Sequence, residues 1–538
     1  MPVALSYPGV YIEEVPSGVR TITGVATSIT AFIGRAARGP SDAIGPVVIN
    51  SFGDFERNFG KLHPDYPMSY AVRDFYLNGG AQAVIVRLYK KAGTKPAKAT
   101  IKLAGTPALI LEAASEGAWA NSLRTRVDDK VSSDVAARFG LSASDLFNLT
   151  LHDMTSGAEE TFLNVTVKES PRRVDRVLRS DASLLRVAAS VTLPGTAVPT
   201  KHSDSDPGKT VWDLDKSSTG VKDPADKAVD SAPLDQTAYT GDETAKTGIF
   251  ALKKVDLFNL LCIPADTRDG DTLPDVYQTA LNLSVARRAM LIVDAPKGWK
   301  SAGDITNDDN KALLGLGLSG AAARNAALFF PRVIEADPMR EGQLDVFVPC
   351  GLVAGAIART DAQRGVWKAP AGLDAAISGV QGLAVNLTDQ ENGMLNPLGV
   401  NCLRAFPLVG RVVWGSRTMR GADLLADEYK YIPVRRTALF LEESLYRGTQ
   451  WVVFEPNDEA LWAQIRLNIG AFMQNLFRQG AFQGKSPREA YFVKCDSETT
   501  TQTDINLGIV NIVVGFAPLK PAEFVVIKLQ QMAGNIPT

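Results

Sequence analysis

The sequence predicts a mixed α/β (α+β, multidomain) protein, and three observations support this prediction. Continuous apolar strands alternate with helices in two separate stretches, residues 21–92 and 251–370. Short alternating strands occupy the region between them, and β-prone segments stand at both chain ends. Strands that are apolar throughout and joined by helices are typical of a parallel sheet with right-handed crossovers. A chain of 538 residues is long enough for about three or four domains.

Composition excludes several classes of protein before any motif is considered. Hydrophobic residues make up 45% and charged residues 22%, as in ordinary globular proteins. The net charge of -2 provides no overall basic field that would attract nucleic acid or an anionic membrane. We find no apolar run of membrane-spanning length and no signal peptide. The four cysteines are far apart, which predicts buried reduced thiols rather than disulfides or a zinc site.

The first α/β stretch alternates strands and helices along the chain. A strand is predicted at 27–34 and ends at the Gly39-Pro40 breaker, and a short strand follows at 46–49. Ser51 begins a helix with Asp54 three residues later, a weak capping signal. A second helix, with Ala71, Phe75 and Tyr76 at helical spacing, ends near Gly79. A strand rich in Val and Ile completes the stretch at 81–89.

The middle of the chain has a different character. Residues 92–200 contain short alternating runs separated by turn residues, which predict a β-rich module. Residues 201–248 contain few apolar side chains, too few to offset the entropy of ordering a core. We therefore expect a surface loop or mobile segment there.

The α/β alternation resumes at Asp256. Buried strands are predicted at 256–266, 289–296 and 326–334, a helix at 307–325, and a turn leading into a helix from Val348. In the C-terminal third we predict two strands within 401–419, a helix ending at Gly448, a strand at 450–457 with Asn457 as the next N-cap, and strands at 489–496 and 507–519. A long helix ending near Gly480 carries one core stripe: Leu461, Ile465, Ile469, Phe472, Met473 and Leu476.

One motif raises the possibility of a nucleotide-binding enzyme. Gly315-Leu-Gly-Leu-Ser-Gly320 matches the dinucleotide fingerprint, which requires a strand directly before the turn. The preceding residues indicate the start of a helix, so we favour glycines in a helix packed tightly on the sheet. His63, His152 and His202 are isolated and predict neither a metal site nor a Ser-His pair.

Both chain ends carry β-prone segments outside any obvious hairpin. Residues 6–18 contain Pro8 and Pro16, which favour an extended arm, and residues 521–532 alternate and are rich in Val and Ile. Natural proteins cover such apolar edges. Each segment can pair within its own chain, or it can complete the sheet of a neighbouring copy by β-augmentation. Periodicity does not separate the two.

Clusters in both halves of the chain resemble contractile tail sheath proteins of phages, tailocins and contractile injection systems. The clusters are Ser6–Glu14, Gly24–Pro40, Phe52–Gly60, Ala71–Arg87, Val413–Thr418, Val434–Arg436, Glu442–Ser444, Trp451–Asn457, Leu461–Trp462, Phe492–Asp496, Gly515–Pro518 and Pro521–Phe524. They stand in family order and together are specific, although none is diagnostic alone. Residues 95–250 match poorly beyond Gly117–Asn121, as expected for the variable outward domain of such sheaths.

The resemblance implies a structural, non-enzymatic subunit without a cofactor or metal. Family sheaths are stacked hexameric rings around an inner tail tube, with baseplate and tail terminator proteins at the ends. They contract without nucleotide and drive the tube through a target envelope. The resemblance implies no nucleic-acid partner, no membrane insertion, and a virion tail or injection particle assembled in the host cytoplasm.

The resemblance also implies a domain plan. The expected units are an N-terminal extended arm (1–20), a first part of the α/β core (21–92), a β-rich variable outer insertion (93–250), an α/β domain with parallel strands (251–370), a C-terminal core domain facing the tube (371–518) and a C-terminal arm strand (519–538).

Site residues follow from the resemblance by position. The inter-subunit arms carry Tyr7, Val10, Tyr11 and Ile12 at the N-terminus and Phe524, Val525, Val526, Ile527 and Leu529 at the C-terminus. The acceptor strands, Ala490–Val493 and Ile509–Val514, contain Tyr491, Phe492, Val493, Ile509, Val510, Ile512 and Val514. Candidate tube contacts are Arg435, Arg436, Arg466 and Arg478. Two alternatives remain: an α/β enzyme using the Gly315–Gly320 turn, and another self-assembling shell protein.

Overall fold

The protein, described by a computed structural model over residues 20–214, 216–307 and 311–529, is built around one large sheet. The N-terminal part contributes β1 (Thr30–Gly34), β2 (Val47–Ile49), α1 (Phe52–Phe59), α2 (Pro67–Leu77) and β3 (Ala83–Arg87). Ser51 caps α1 by accepting a hydrogen bond from the Asp54 N–H, as predicted, and Pro67 stands in the first turn of α2.

The insertion that follows is β-rich, as predicted. Its elements are β4 (Thr100–Leu103), β5 (Leu109–Ala113), β6 (Leu123–Asp128), α3 (Ser133–Arg138), β7 (Leu146–Asp153), β8 (Glu159–Thr166), α4 (Val174–Asp181), β9 (Leu185–Val187) and β10 (Thr219–Gly220). They form two antiparallel sheets, β10-β6-β7-β8 and β4-β5-β9, which share one apolar core.

The segment predicted as a surface or mobile loop has little regular structure but many contacts. Besides β10 it contains α5 (Gln236–Thr240). The Leu234 N–H donates to Asp266 at 3.0 Å, and Lys90 pairs with Asp235 at 2.6 Å. The segment is thus packed along the body where it returns from the insertion to the large sheet.

The central part supplies the remaining strands of the large sheet. Its elements are β11 (Leu260–Cys262), α6 (Pro274–Ala286), β12 (Met290–Asp294), α7 (Gly303–Thr306), α8 (Lys311–Leu314), β13 (Ala326–Phe330), β14 (Val333–Asp337), β15 (Gln343–Phe347), α9 (Cys350–Arg364), β16 (Gly382–Leu383), α10 (Asp389–Leu395), β17 (Val400–Phe406) and β18 (Gly410–Val413). β14, β15 and β16 form a separate three-stranded sheet in the order β15-β14-β16.

The large sheet has eight strands in the order β18-β17-β13-β12-β11-β1-β3-β2. Neighbours from β17 to β3 are parallel, whereas the two edge strands, β18 and β2, are antiparallel to their neighbours. The predicted parallel sheet and the mixed α/β class are confirmed. The sheet continues past residue 370, where the sequence predicted a domain boundary, because β17 and β18 extend it.

Helices cover both faces of this sheet, so its strands are apolar throughout. α2 and α9 pack on one face and α6 on the other. Two glycines allow the close approach of α2 and α9: a Cβ on Gly351 would lie 2.0 Å from the Ala71 carbonyl oxygen, and one on Gly355 would lie 2.5 Å from that of Phe75.

A C-terminal module completes the fold. It contains α11 (Ile432–Gly448), α12 (Glu459–Arg478), α13 (Pro487–Ala490), β19 (Tyr491–Lys494), α14 (Gln502–Asn506) and β20 (Val513–Phe516). The predicted stripe of α12 is buried in this module's core. All four cysteines of the chain are buried free thiols.

Three local predictions were wrong. Residues 311–325 form the short helix α8 and a 3-10 turn rather than one helix, and residues 450–457 hold a single 3-10 turn rather than a strand. Asp458, not Asn457, caps α12, because its carboxylate accepts from the Leu461 N–H at 2.9 Å. Asn457 instead accepts from the Trp462 indole and donates to the Ile509 carbonyl.

Candidate assembly site at the C-terminal sheet and the chain ends

β19 and β20 form a two-stranded antiparallel sheet on the surface of the C-terminal module. Tyr491 pairs with Phe516 and Lys494 with Val513. Within the described residues this sheet has only these two strands, so each has an outer edge without a third strand. A two-stranded sheet is marginal alone, and this one depends on packing against α12.

The two faces of this sheet differ in exposure. Tyr491, Val493, Val514 and Phe516 pack towards the module core, whereas Phe492 on the other face is 50% exposed. Phe492 lies across Gly515 of β20, where an added Cβ would be only 2.2 Å from its ring. The outer face is therefore partly apolar and lies beside two open edges.

The C-terminal segment is the most exposed apolar stretch of the described chain. From Phe524 to Leu529 it has no regular structure and its side chains are exposed. The exposed fractions are 74% for Phe524, 81% for Val525, 79% for Val526, 79% for Ile527 and 94% for Leu529. Contiguous exposed apolar side chains are typical of surfaces that contact another protein, a membrane or a ligand.

Immediately before this stretch, one carboxylate fixes the chain to the body. Glu523 accepts a bidentate pair of hydrogen bonds from the Arg417 guanidinium, 2.7 Å from Nε and 2.6 Å from Nη2. The Asn396 amide and the Tyr431 hydroxyl also donate to it, each at 3.0 Å. A fork of two parallel hydrogen bonds sets direction as well as distance.

Arg417 is fully buried and is itself tied to the large sheet. Its Nη1 donates to the Asn396 carbonyl at 2.8 Å and to Asp423 at 3.0 Å. Its backbone N–H donates to the Asn401 side chain of β17, and the amide of Asn401 donates in turn to the carbonyls of Arg417 and of Leu328 in β13. Arg417 therefore links Glu523, through its guanidinium, to two strands of the large sheet, through its backbone and Asn401.

The electrostatics of this cluster favour the charged pair. Burial opposes ionisation of Glu523, but hydrogen bonds from Arg417 and Asn396 outweigh it and leave its pKa below the usual range. The pKa of Tyr431 is raised by burial and by the Glu523 charge, so its hydroxyl remains a donor.

The N-terminal end of the described chain lies on the C-terminal module. The Arg20 N–H donates to Asn468 of α12 at 3.1 Å, and the Arg20 guanidinium lies 4.7 Å from the centre of the Trp451 ring. Ile22 is buried against Gly448. Further along, the Val25 N–H donates to Ser444. The side chains of Tyr7, Val10, Tyr11 and Ile12 lie outside the described residues.

Of the arginines predicted to contact a tube, Arg436 is placed elsewhere. It forms a buried ion pair with Asp361, with hydrogen bonds of 2.8 and 2.6 Å, and donates to the Thr27 carbonyl at 2.7 Å. Its charge thus fastens the N-terminal segment and does not reach the surface, contrary to the prediction. This pair had no spacing signal, because its partners are far apart in sequence.

The other three arginines are more accessible. Arg435 donates to Asn325 at 3.0 Å and pairs with Glu442 at 3.2 Å. Arg466 pairs with Glu459 at 2.7 Å and donates to the Cys495 carbonyl. Arg478 is exposed in the last turn of α12.

The second predicted acceptor strand begins later than expected. Ile509, Val510 and Ile512 precede β20, and only Val514 of the predicted set lies within the strand. Gly508 has a φ of +73°, and the Ile509 N–H donates back to Asp504, so the chain is still leaving α14 at this point. Tyr491, Phe492 and Val493 do lie in β19 as predicted.

The geometry needed for a dinucleotide site is not formed at Gly315–Gly320. The turn follows α8 rather than a strand, and Gly317 and Gly320 adopt φ of +71° and +72°. These glycines lie in a turn, not in a helix as we favoured. Across the described ranges no cluster of three or more metal-ligating side chains was found, and no helix has the length and apolar character to cross a membrane.

Comparison with known proteins identifies the family. Residues 244–419 match the phage tail sheath protein central domain, and residues 426–531 match the phage tail sheath C-terminal domain, together more than half of the chain. The chain belongs to the phage tail sheath family. Its members are structural sheath proteins.

One curated relative supports this family locally. The tail sheath protein of Vibrio phage KVP40 is 32% identical over 127 residues, which are 23% of this tail sheath family chain. The match spans only 18% of that relative's length.

Solved structures share the fold over nearly the whole length. The baseplate of the anti-feeding prophage contains a chain 22% identical, with a TM-score of 0.56, covering 98% of this chain and 100% of that one. The contracted sheath complex of PVC, an extracellular contractile injection system, gives 20% identity and a TM-score of 0.55, covering 98% of each chain. A sheath tail protein from Listeria innocua is 14% identical with a TM-score of 0.58, covering 92% of this chain and 96% of that one.

Sequence reasoning missed the residues that fix the chain ends to the body of this sheath protein. Arg417 and Glu523 both lie in the clusters that resemble the family, but a lone arginine and a lone glutamate 106 residues apart have no pattern that pairs them. Arg20 and Ile22 lack such a pattern for the same reason.

Proposed function

We propose that the chain is the subunit of a contractile sheath that polymerises as stacked hexameric rings around an inner tube. Contraction drives the tube through a target envelope without nucleotide, because energy stored in a metastable lattice at assembly is released as the rings repack. The proposal is supported by the fold that this chain shares with chains from a contracted sheath complex and from a baseplate. We also propose assembly in a host cytoplasm, into a phage tail or injection particle with baseplate and terminator proteins at its ends.

The connection between subunits is proposed to be strand exchange. In it, the C-terminal arm, residues 524–529 and onward, adds a strand to the β19–β20 sheet of a neighbouring copy, and the N-terminal arm with Tyr7, Val10, Tyr11 and Ile12 does the same. The observation that carries this proposal is the coexistence, in one chain, of a surface sheet with two open edges and an exposed apolar β-prone segment. The sheet has edges without a partner strand, and the segment can supply that strand.

Strand exchange suits a structure that contracts. Main-chain hydrogen bonds across an added strand do not depend on the orientation of the rest of each subunit, so they can persist while subunits rotate as rigid bodies. The inward side is proposed to include α12, where Arg466 and Arg478 stay candidates for tube contacts together with Arg435 of α11. Arg436 is withdrawn from this set because its charge is buried against Asp361.

The test of the C-terminal arm replaces Val525 and Val526 together by proline. Two successive prolines remove two backbone donors from the arm and prevent it from joining a ladder. We expect a folded subunit that no longer forms tubes by electron microscopy and sedimentation. The control replaces the same two residues by threonine, which keeps β propensity and both donors.

The outcomes separate strand exchange from simple hydrophobic contact. Loss of assembly in the proline variant alone supports strand exchange, whereas equal loss in both variants shows that the apolar side chains act without a ladder. Normal tubes from the proline variant would refute C-terminal arm exchange. For the N-terminal arm, deletion of residues 1–18 is expected to leave a folded monomer that does not polymerise.

A further inference from the structure

We propose that Arg417 and Glu523 are the positioning residues of the C-terminal arm. The bidentate pair holds the root of the arm, residues 517–523, as a rigid part of the body, and the exchangeable strand begins at Phe524. This inference rests on the proposed strand exchange, and it adds the residues that determine where and in which direction the arm leaves the subunit.

The path of the chain supports a fixed root. After β20, the Ala517 N–H donates to the Ala490 carbonyl at 2.8 Å and its carbonyl accepts from the Gln483 N–H, so this residue still belongs to the C-terminal module. Six residues later Glu523 is bound to Arg417 beside the large sheet. The root therefore crosses from one unit to the other and is held at both ends.

The change in environment at Glu523 is abrupt. Glu523 has 18% of its side chain exposed and four hydrogen bonds, whereas every apolar residue from Phe524 to Leu529 is at least 74% exposed. Glu523 is thus the last described residue of the chain that is not exposed, and its pair with Arg417, here called the clamp, stands at the boundary between body and arm.

Arg417 suits this role because its remaining donors are already engaged. Nη1 is directed at Asn396 and Asp423, while Nε and Nη2 point at the two Glu523 oxygens. Asn401 ties the Arg417 backbone to β13 and β17. The Arg417 guanidinium is therefore oriented for the Glu523 carboxylate by contacts that do not involve the root.

A fixed root favours assembly for a statistical reason. A strand that leaves the body in one direction loses less conformational freedom on insertion into a neighbour than one attached to a loose tether. Release of the root is therefore expected to weaken assembly even though the arm sequence, and hence every hydrogen bond of the ladder, is unchanged.

The experiment measures the root and the assembly separately in the full chain. Spin labels are placed on cysteines introduced by Ala522→Cys and Gln390→Cys, both at exposed positions, while the native cysteines are buried. In the chain with Glu523 unchanged, we expect double electron–electron resonance to give one narrow distribution of distances between the two labels. Glu523→Gln should broaden it and Glu523→Ala should broaden it further. The protein concentration needed for tube formation should rise about tenfold or more in Glu523→Ala.

Two controls make the result specific. Glu443→Gln removes another carboxylate that pairs with two arginines, Arg288 and Arg447, and should leave the label distribution at its original width. A chain ending at Glu523 reports on strand exchange itself and should not form tubes. If Glu523→Ala does not fold, the isosteric Gln variant carries the test.

The possible results distinguish this inference from the proposal beneath it. A broadened label distance distribution together with weakened assembly supports the clamp. The clamp is overturned, and strand exchange left intact, by either of two results. In the first, the label distance distribution stays narrow in the Gln and Ala variants. In the second, that distribution broadens but assembly is unchanged, while the shortened chain fails to assemble. Normal tubes from the shortened chain overturn C-terminal strand exchange, and with it the role given to the clamp.

Discussion

The two ends of the described chain are held to the body by opposite chemistry. At the N-terminal root, residues 20–25, the chain supplies mainly neutral groups, which are backbone donors to Asn468 and Ser444 and the buried Ile22 side chain. Its one cation is Arg20, which lies over the Trp451 ring. At the C-terminal root, residues 517–523, the chain supplies a carboxylate to a buried arginine. The first root is held mainly by packing and neutral hydrogen bonds, or shape, and the second mainly by charge, so they should respond to different perturbations.

The positions of the two roots are also crossed. The N-terminal root leads into β1 of the large sheet but lies on α11 and α12 of the C-terminal module. The C-terminal root follows β20 of that module but is fixed beside β13 and β17 of the large sheet. Each root therefore connects both units, which suits the proposed strand exchange, in which the subunit moves as one body while its arms stay engaged.

The largest expected effect concerns the root held by shape. Ile22→Ala removes three methyl or methylene carbons from the C-terminal module core and should lower the free energy of unfolding by about 3 kcal/mol. Urea denaturation followed by circular dichroism measures the loss. Leu467→Ala on the exposed face of α12 is the control and should cost less than about 0.5 kcal/mol. Similar losses in the two variants would show that Ile22 is not a core residue.

The next effect concerns the root held by charge and depends on pH. Because the pKa of Glu523 is lowered in the folded protein, its stabilisation is complete above its unfolded value of 4.5 and is lost as the pH falls through the folded pKa. We expect a loss of about 1–2 kcal/mol, since the pair is partly open to solvent. The distribution of distances between labels at 522 and 390 should broaden on acidification. In Glu523→Gln this distribution should be insensitive to pH. A distance distribution that stays narrow over the whole acidic range in which the chain remains folded would contradict the charged clamp.

Much of the fold was predictable because it depends on local patterns. The strands β17 and β18, the helix α11 ending at Gly448, and the buried stripe of α12 follow from periodicity and turn residues. The failures are instructive. Residues 451–454 are apolar and β-prone, which predicted a strand over 450–457. Phe454 nevertheless adopts a φ of +71° with its side chain fully exposed, because the connection between α11 and α12 turns there instead of pairing.

The roots were beyond prediction for a different reason. Their contacts join residues that are 448 positions apart for Arg20 and Asn468 and 106 apart for Arg417 and Glu523. Such a pair depends on how whole units pack, which no local period records. The same holds for Arg436: the sequence analysis made it a candidate tube contact, whereas the packing of α11 against the N-terminal segment buries it.

A smaller effect tests how tightly the N-terminal root fits. Gly448→Ala would place a Cβ 2.6 Å from Ile22 Cγ2, and the strain of about 1–3 kcal/mol should exceed the helix propensity gained, for a net loss of about 1 kcal/mol. Gly470→Ala within α12 is the matched control, because its Cβ would meet no atom within 4 Å and should stabilise the chain. Thermal denaturation should therefore shift in opposite directions. A shift in the same direction would show that Ile22 does not rest on Gly448.

The smallest effect concerns the cation of the N-terminal root. The Arg20 guanidinium lies over the Trp451 ring, an interaction worth about 0.7 kcal/mol at a partly exposed site. Arg20→Ala should therefore raise local hydrogen exchange of residues 20–25 roughly threefold, while Arg20→Lys, which keeps a cation, should raise it less. Exchange of residues 517–523 serves as the internal reference and should not change in either variant. Equal acceleration at both roots would mean that they are coupled, and that shape and charge do not hold them independently.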